Sequence, residues 1–357
     1  MSQNDPGMPP RPTRRAALAL GCASLAAMSL AACGIRLEDD VPRIPLLPTR
    51  EPVPGESFLL ALWRHSDDLA ERASSLGGLA TALPARLAAL HREQATVLEA
   101  ELLRLGVPRK VLDAAAARPT SAASPGPSAS GSATGSATGG DTSSATGSAG
   151  PSAGATGSTA TAPTVSGPKA LGAQEASDLG PTAIASLATV TAGAIPLVGS
   201  VLAQRAAAAT LLGVPATRPE HTWSAPSLAA SYLASTRSAR YAFEVVAAQS
   251  PTGAQHTLAA ATLAALVSRA QDQEILAGAS AGPPALAYSL PFPVTTSTAA
   301  RKLAVQVLTE LRASVARDLG STKGDVGPLG ALVQWLGETE VLASRWGVAL
   351  APFPGLA

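Results

Sequence analysis

Aromatic side chains are scarce in this chain: four Phe, three Tyr and four Trp among 357 residues. Strands draw on aromatic and β-branched residues, whereas alanine and leucine, abundant here, are the best helix formers, so the composition predicts an all-α protein. There are two cysteines, Cys22 and Cys33, too few to staple a small fold, and stability must come from a core of ordinary size. Charge is sparse and balanced, +1 over the whole chain. No dense basic patch draws it to nucleic acid. Four histidines and no Glu-x-x-His pair leave no evident metal centre. The sequence also lacks a phosphate-cradling glycine loop followed by lysine, and a calcium loop. These absences predict no catalytic residue, no metal site and no cofactor, hence a protein that is not an enzyme.

What is present is concentrated at the N-terminus. Arg11, Arg14 and Arg15 precede an apolar run from Ala16 to Leu30, which ends in Leu30-Ala31-Ala32-Cys33 followed by Gly34. A basic start, a short apolar core and small residues before the cut form the layout of a cleavable export signal. The run of about fifteen residues is short for a membrane span, which needs about twenty. The four residues resemble the lipobox of bacterial lipoproteins, which implies lipidation of the Cys33 thiol and cleavage before it. Cys22 lies only about six apolar residues beyond Arg15, too few for a signal core. Thr13-Arg14-Arg15 resembles a twin-arginine export signal, although Ala16-Ala17-Leu18 lacks the large apolar residue usual after the pair, and general secretory export is the competing route. The resemblance implies a cell-membrane location on the extracytoplasmic face, with the lipid anchor at Cys33 as the membrane partner. Without residues 1–32 the chain keeps 23 basic and 24 acidic side chains, a net charge near −1.

Residues 33–55 carry Pro42, Pro45, Pro48, Pro52 and Pro54 and are expected to form a semi-rigid extended tether. Residues 56–116 predict a helical hairpin, Phe58 to Leu76 and Ala85 to Leu105, the second stopped by Gly106-Val107-Pro108. Residues 117–168 are almost wholly Gly, Ser, Thr, Ala and Pro, too little apolar surface to offset chain entropy, and are expected to be a disordered linker, bare rather than glycosylated. Residues 169–215 are expected to pack with the hairpin as helices broken or kinked at Pro196; the stretch from Leu179 to Gln204 is uncharged but too rich in Thr, Ser and Gly for a membrane span. The Leu-Gly-Val-Pro of 105–108 recurs at 212–215. From 226 to 357 four helices are expected, Leu228 to Gln249, Ala254 to Ala277, Thr298 to Leu319 and Pro328 to Trp346. The connection from Ala279 to Thr296 holds four prolines. Eighteen extended residues reach about 60 Å, and a helix of this length spans about 33 Å, so the connection can cross a whole bundle. Short outer turns around one long crossover between the second and third helices are the ferritin-like arrangement.

Tyr241-Ala-Phe-Glu-Val-Val-Ala-Ala248, Tyr288-Ser-Leu-Pro-Phe-Pro-Val294, Arg345-Trp346 and the closing Pro352-Phe-Pro-Gly-Leu356 together resemble a ferritin-like domain of unknown function found in actinobacterial lipoproteins. The resemblance covers about 226–356 and implies a fold but no activity. The metal ligands of that fold are missing: Thr236 and Arg237 stand where relatives place an acid and a histidine, and His256 is the sole histidine after 226. Glu244, Asp272, Glu274, Glu310, Glu338 and Glu340 are expected on solvated faces. His65 and His91, one on each hairpin helix, are weighed as a metal pair and expected to be solvent-facing instead; His221 lies in a proline-flanked loop. Trp223, Trp335, Trp346, Tyr241, Tyr288, Phe243 and Phe292 are expected to fill the core rather than line a ligand cleft. The function expected is that of a membrane-anchored, non-catalytic binding or scaffolding module of the cell envelope, with an envelope protein as an unidentified partner. The alternatives are a metal-handling or oxidoreductase protein with an altered site, or a solute-binding lipoprotein.

Overall fold

A computed structural model describes residues 50–76, 82–117, 167–215, 222–322 and 324–356. The export signal at 1–32, most of the tether, nearly all of the linker, and His221 lie outside the described residues. Grouping by backbone contacts separates residues 1–51 from a compact unit, Pro52–Ala357, to which every described helix belongs. Among the described residues all regular structure is helical.

The ten α-helices among them are α1 (Glu56–Ser75), α2 (Ala82–Arg104), α3 (Arg109–Ala116), α4 (Pro168–Ser177), α5 (Pro181–Ala188), α6 (Ile195–Leu211), α7 (Pro226–Ala248), α8 (Ala254–Ala277), α9 (Ser297–Arg317) and α10 (Val326–Arg345). The all-α expectation is met. The 169–215 stretch holds three helices rather than two broken at Pro196. That proline sits in the first turn of α6, where its missing N–H has no intrahelical partner to lose. Pro168, Pro181 and Pro226 open α4, α5 and α7 in the same way. Thr296 and Asp325 supply side-chain caps for α9 and α10, accepting from Ala299 N–H at 3.1 Å and Gly327 N–H at 3.2 Å.

The recurring Leu-Gly-Val-Pro is a helix stop. At the end of α2, Gly106 has φ +90°, with Val107 N–H bonded to Leu102 O and Gly106 N–H to Leu103 O. Gly213 and Val214 repeat this bond pair after α6, on Thr210 O and Ala209 O. A left-handed residue followed by an apolar one that folds back is the Schellman termination, which glycine adopts without a Cβ clash. Shared termination chemistry accounts for the echo without a duplication.

Helices α1 and α2 pack on each other, and α4 lies against α1 and α6. Helix α7 packs against α8 and α9, and α9 against α10. The two groups share α6 and α10, which pack along each other. Helix α6 is buried on nearly all sides, its mostly apolar surface interrupted by the buried Ser200, Gln204 and Arg205. No helix among the described residues is long and apolar enough to cross a membrane. One core joins Leu59 and Leu98 of the hairpin to Val198 and Leu202 of α6 and to Leu332 and Trp335 of α10. A second, around Phe243, Leu266, Leu308 and Trp346, fills the interior of α7–α10.

The connection after α8 starts as a 3₁₀ turn, Gly278–Ala281, and continues extended to α9. Arg237 clamps its start, donating to Ala281 O at 3.0 Å, Gly282 O at 3.1 Å and Glu274 at 2.9 Å. Farther along, Tyr288 stacks at a tilt on Tyr241, and Phe292 lies 5.0 Å beneath Lys302.

Close contact between α6 and α10 depends on Gly337. A Cβ there would lie 2.8 Å from Ala203 O and 2.9 Å from the Ala206 Cβ. Gly337→Val is therefore expected to lower unfolding stability by about 1–3 kcal/mol through overpacking. Gly193→Ala, in open space, is expected to change it by less than about 0.5 kcal/mol. Thermal unfolding of the two variants checks the difference.

Candidate functional site

Two features stand out from the packed helices: a buried polar cluster under the hairpin, and an aliphatic cleft beside α6 and α10.

The cluster is built around Arg205, the first charged residue after the apolar face of α6 and itself fully buried. Its guanidinium pairs with Asp178, just past the end of α4. Its Nη2 donates to Ser66 Oγ at 2.7 Å, and Ser66 in turn donates to Leu62 O at 2.9 Å. His65 Nδ1 lies 2.8 Å from Asp178 Oδ1. The same nitrogen lies 3.2 Å from Arg205 Nη1, so it sits between a carboxylate, which can only accept, and a guanidinium, which can only donate. Burial pushes the His65 imidazole down to about 4; Arg205 adds to this, while Glu175 and Asp68 oppose it. Burial also lowers Arg205, to about 10, against the attraction of Glu175, and leaves it charged at neutral pH.

A second chain of bonds runs beside the first. His91 Nε2 lies 2.7 Å from Glu175 Oε1, and its Nδ1 lies 3.0 Å from Gln94 Oε1. The Gln94 amide donates to Pro352 O at 2.8 Å and to Gln204 Oε1 at 3.0 Å, and a backbone carbonyl can only accept, which fixes the orientation of the amide. Ser200 donates to Pro354 O at 2.9 Å. The closing Pro352-Phe-Pro-Gly-Leu is thus latched to α2 and α6.

His65 and His91 are not the solvent-facing residues the sequence suggests. His91 is wholly buried, and both rings join one cluster because α4 brings a carboxylate to each. The cluster is a structural charge network: its carboxylates are engaged by Arg205 and the imidazoles. Among the described residues no group of three or more His, Cys, Asp or Glu is arranged to hold a metal. Glu340 also departs from expectation. It is buried, accepting from Arg312 at 2.8 Å and from Ala351 N–H at 2.8 Å. Glu338 is part-buried against Arg269 at 3.1 Å. Glu244 pairs with Arg240 and Glu310 with Gln306 on exposed faces, and Asp272 is exposed on α8. His256 is exposed and lies 3.3 Å from Ala247 O. Thr236 is buried in α7. Cys33, Arg14, Arg15, Leu30, Ala31 and Ala32 lie outside the described residues.

The aromatic residues fall into core groups. Trp335 stacks on Trp223 with Tyr232 at their edges, and Trp346 meets Phe243 and donates its indole N–H to Thr262 at 3.1 Å. The cleft lies elsewhere and is lined by aliphatic residues of α5, α6 and α10, with Ala265 and Arg269 of α8; its volume is about 280 Å³.

Residues 229–357 match the family model described as a domain of unknown function, DUF4439. The DUF4439 segment begins within α7 and takes in the crossover, α10 and the latched tail. No curated protein and no solved structure matches the chain.

The His65 environment sets a pH dependence. Between pH 6.5 and about 4 the unfolded chain takes up a proton that the folded imidazole refuses, so stability present above 6.5 is lost as pH falls through that window. The loss from this residue is expected to reach about 2–3 kcal/mol. His65→Asn, which keeps a polar group beside Asp178 but does not titrate, should flatten that part of the profile in urea denaturation across pH 4–7.

Proposed function

We propose that this chain is a lipid-anchored protein of the cell envelope whose helical body, including a ferritin-like C-terminal bundle, works by binding or scaffolding rather than by catalysis. Leu30-Ala31-Ala32-Cys33 behind a basic, apolar leader carries the first half of this reading. Acylation of the thiol and cleavage before it leave the lipid at the new N-terminus. The proline-rich stretch after Cys33 spaces the helical body from the bilayer. One acyl chain holds a protein only marginally, whereas two or more anchor it stably, and the diacylglyceryl group implied by the resemblance supplies two.

The second half rests on what lines the interior of α7–α10. A ferritin-like centre needs inward carboxylates and imidazoles from all four helices. Here the inward positions carry Phe243, Leu266, Leu303, Leu308 and Trp346, and the buried Glu340 is already bonded by Arg312 and Ala351. Filled by apolar side chains, the bundle supports a rigid body offering surfaces and clefts.

Membrane fractionation of the native host tests the anchor. The wild-type chain should sediment with membranes, dissolve only with detergent and lack residues 1–32, and Cys33→Ser should be unprocessed or released. A wild-type chain that stays in the aqueous fraction with its leader intact contradicts the proposal.

A further inference from the structure

The aliphatic cleft lies where α5, α6, α8 and α10 meet, on the side of α10 not covered by α9. Leu179, Ile184, Val333, Val341 and Leu342 form its apolar walls. Two guanidiniums and one carboxylate face it. Arg269 is almost wholly buried and occupied, Nη1 donating to Thr339 Oγ1 at 2.7 Å and Nη2 to Glu338 at 3.1 Å. Glu338 also accepts from Gln334 at 2.9 Å. Arg345, on the last turn of α10, is exposed and makes no ion pair with any described residue. The Arg269–Glu338 pair is self-compensated, so the cleft carries one net positive charge, and that charge sits at its solvent side. An apolar pocket with one polar anchor is the usual form of a small-molecule site, and about 280 Å³ is near the lower end of the range of about 300–1,000 Å³.

We propose that this cleft binds a small amphipathic anion, its alkyl body against the aliphatic walls and its head group on the Arg345 guanidinium. The guanidinium fork matches the paired oxygens of a carboxylate or a phosphate, and such charge-assisted bonds are about twice as strong as neutral ones. The alkyl body gains by leaving water for Val333, Val341 and Leu342. A neutral alcohol of the same length keeps the second contribution and loses the first. A cationic amine is opposed by Arg345 directly. The inference deepens the binding half of the proposed function and does not depend on Cys33.

The test is isothermal titration calorimetry of the full chain in lipid nanodiscs, with empty nanodiscs as the blank, using octanoate, octyl phosphate, octanol and octylamine. One site is expected, with an anion binding at least about tenfold more tightly than octanol, and octylamine weakest. The ranking of octanoate against octyl phosphate tells which head group is preferred, and both orders support an anion site. Arg345→Gln should bring the anions down to the affinity of octanol. Ala265→Trp, which narrows the mouth from an exposed position, should weaken every probe about tenfold or more with unchanged helical content. The proposal is overturned if no probe binds, if octanol or octylamine matches the anions, or if either substitution leaves the affinities unchanged. A negative outcome leaves the fractionation result standing, and a soluble wild-type chain leaves the cleft result standing.

Discussion

A buried guanidinium constrains more of this structure than any other group. Moving an ion from water into a protein interior costs several kcal/mol even after relaxation, and the cost is met only where oxygen partners are already in place. Arg205 finds them on two elements at once: Leu62 and Ser66 on α1, and α4, which carries Glu175 and ends at Asp178. Helix α6 can therefore bury nearly all its circumference only when the hairpin and α4 are docked. The apolar helix and its single charge make assembly of the N-terminal half close to all-or-none.

The same helix carries that constraint into the C-terminal half. Gly337 of α10 lets two backbones approach at Ala203, two residues before Arg205. The tail continues the connection: Gly355 has φ +78° and lies so close to Arg312 O and Ala316 that no side chain fits, while the carbonyls of Pro352 and Pro354 are held by Gln94 and Ser200. Glu340 completes the latch by bonding Arg312 and the Ala351 N–H. The DUF4439 segment thus engages, through α10 and the tail, residues that precede it in the chain. The cleft with Arg345 lies along this seam, which is why its walls come from both halves.

Much of the helical layout is legible from local chemistry. Ala254–Ala277 coincides with its expected span, and the other long helices shift by one to three residues at their ends, where Pro226 opens α7, Thr296 and Asp325 cap α9 and α10, and Gly106 closes α2. The site is less legible. In the sequence Glu175, Asp178 and Arg205 read as charges bracketing an apolar stretch, whereas in the fold α4 turns back so that the two acids lie beside Arg205 and the two histidines. The available signal was the spacing: two acids three apart share one helix face, and a lone arginine interrupts an otherwise uncharged helix with no other role. His65 and His91 look solvent-facing because their helices carry charges nearby, and only α4, distant in sequence, supplies the carboxylates. Glu340 reads as solvated for the same reason, since its partners arrive from α9 and from the tail. The aliphatic cleft has no sequence signature at all, because its walls are ordinary core residues left uncovered by the crossing of four helices.

If the Arg205 network holds the N-terminal helices together, removing the cation alone takes the guanidinium from the part-buried Asp178 and its field from the buried Glu175. Urea denaturation of Arg205→Met compared with wild type at neutral pH is the direct measurement. A loss of about 3–5 kcal/mol is predicted, the cost of breaking one partner of a buried pair. An unchanged or raised unfolding free energy would contradict the account, because it would mean that the apolar contacts of α6 hold the assembly without help from the buried charge.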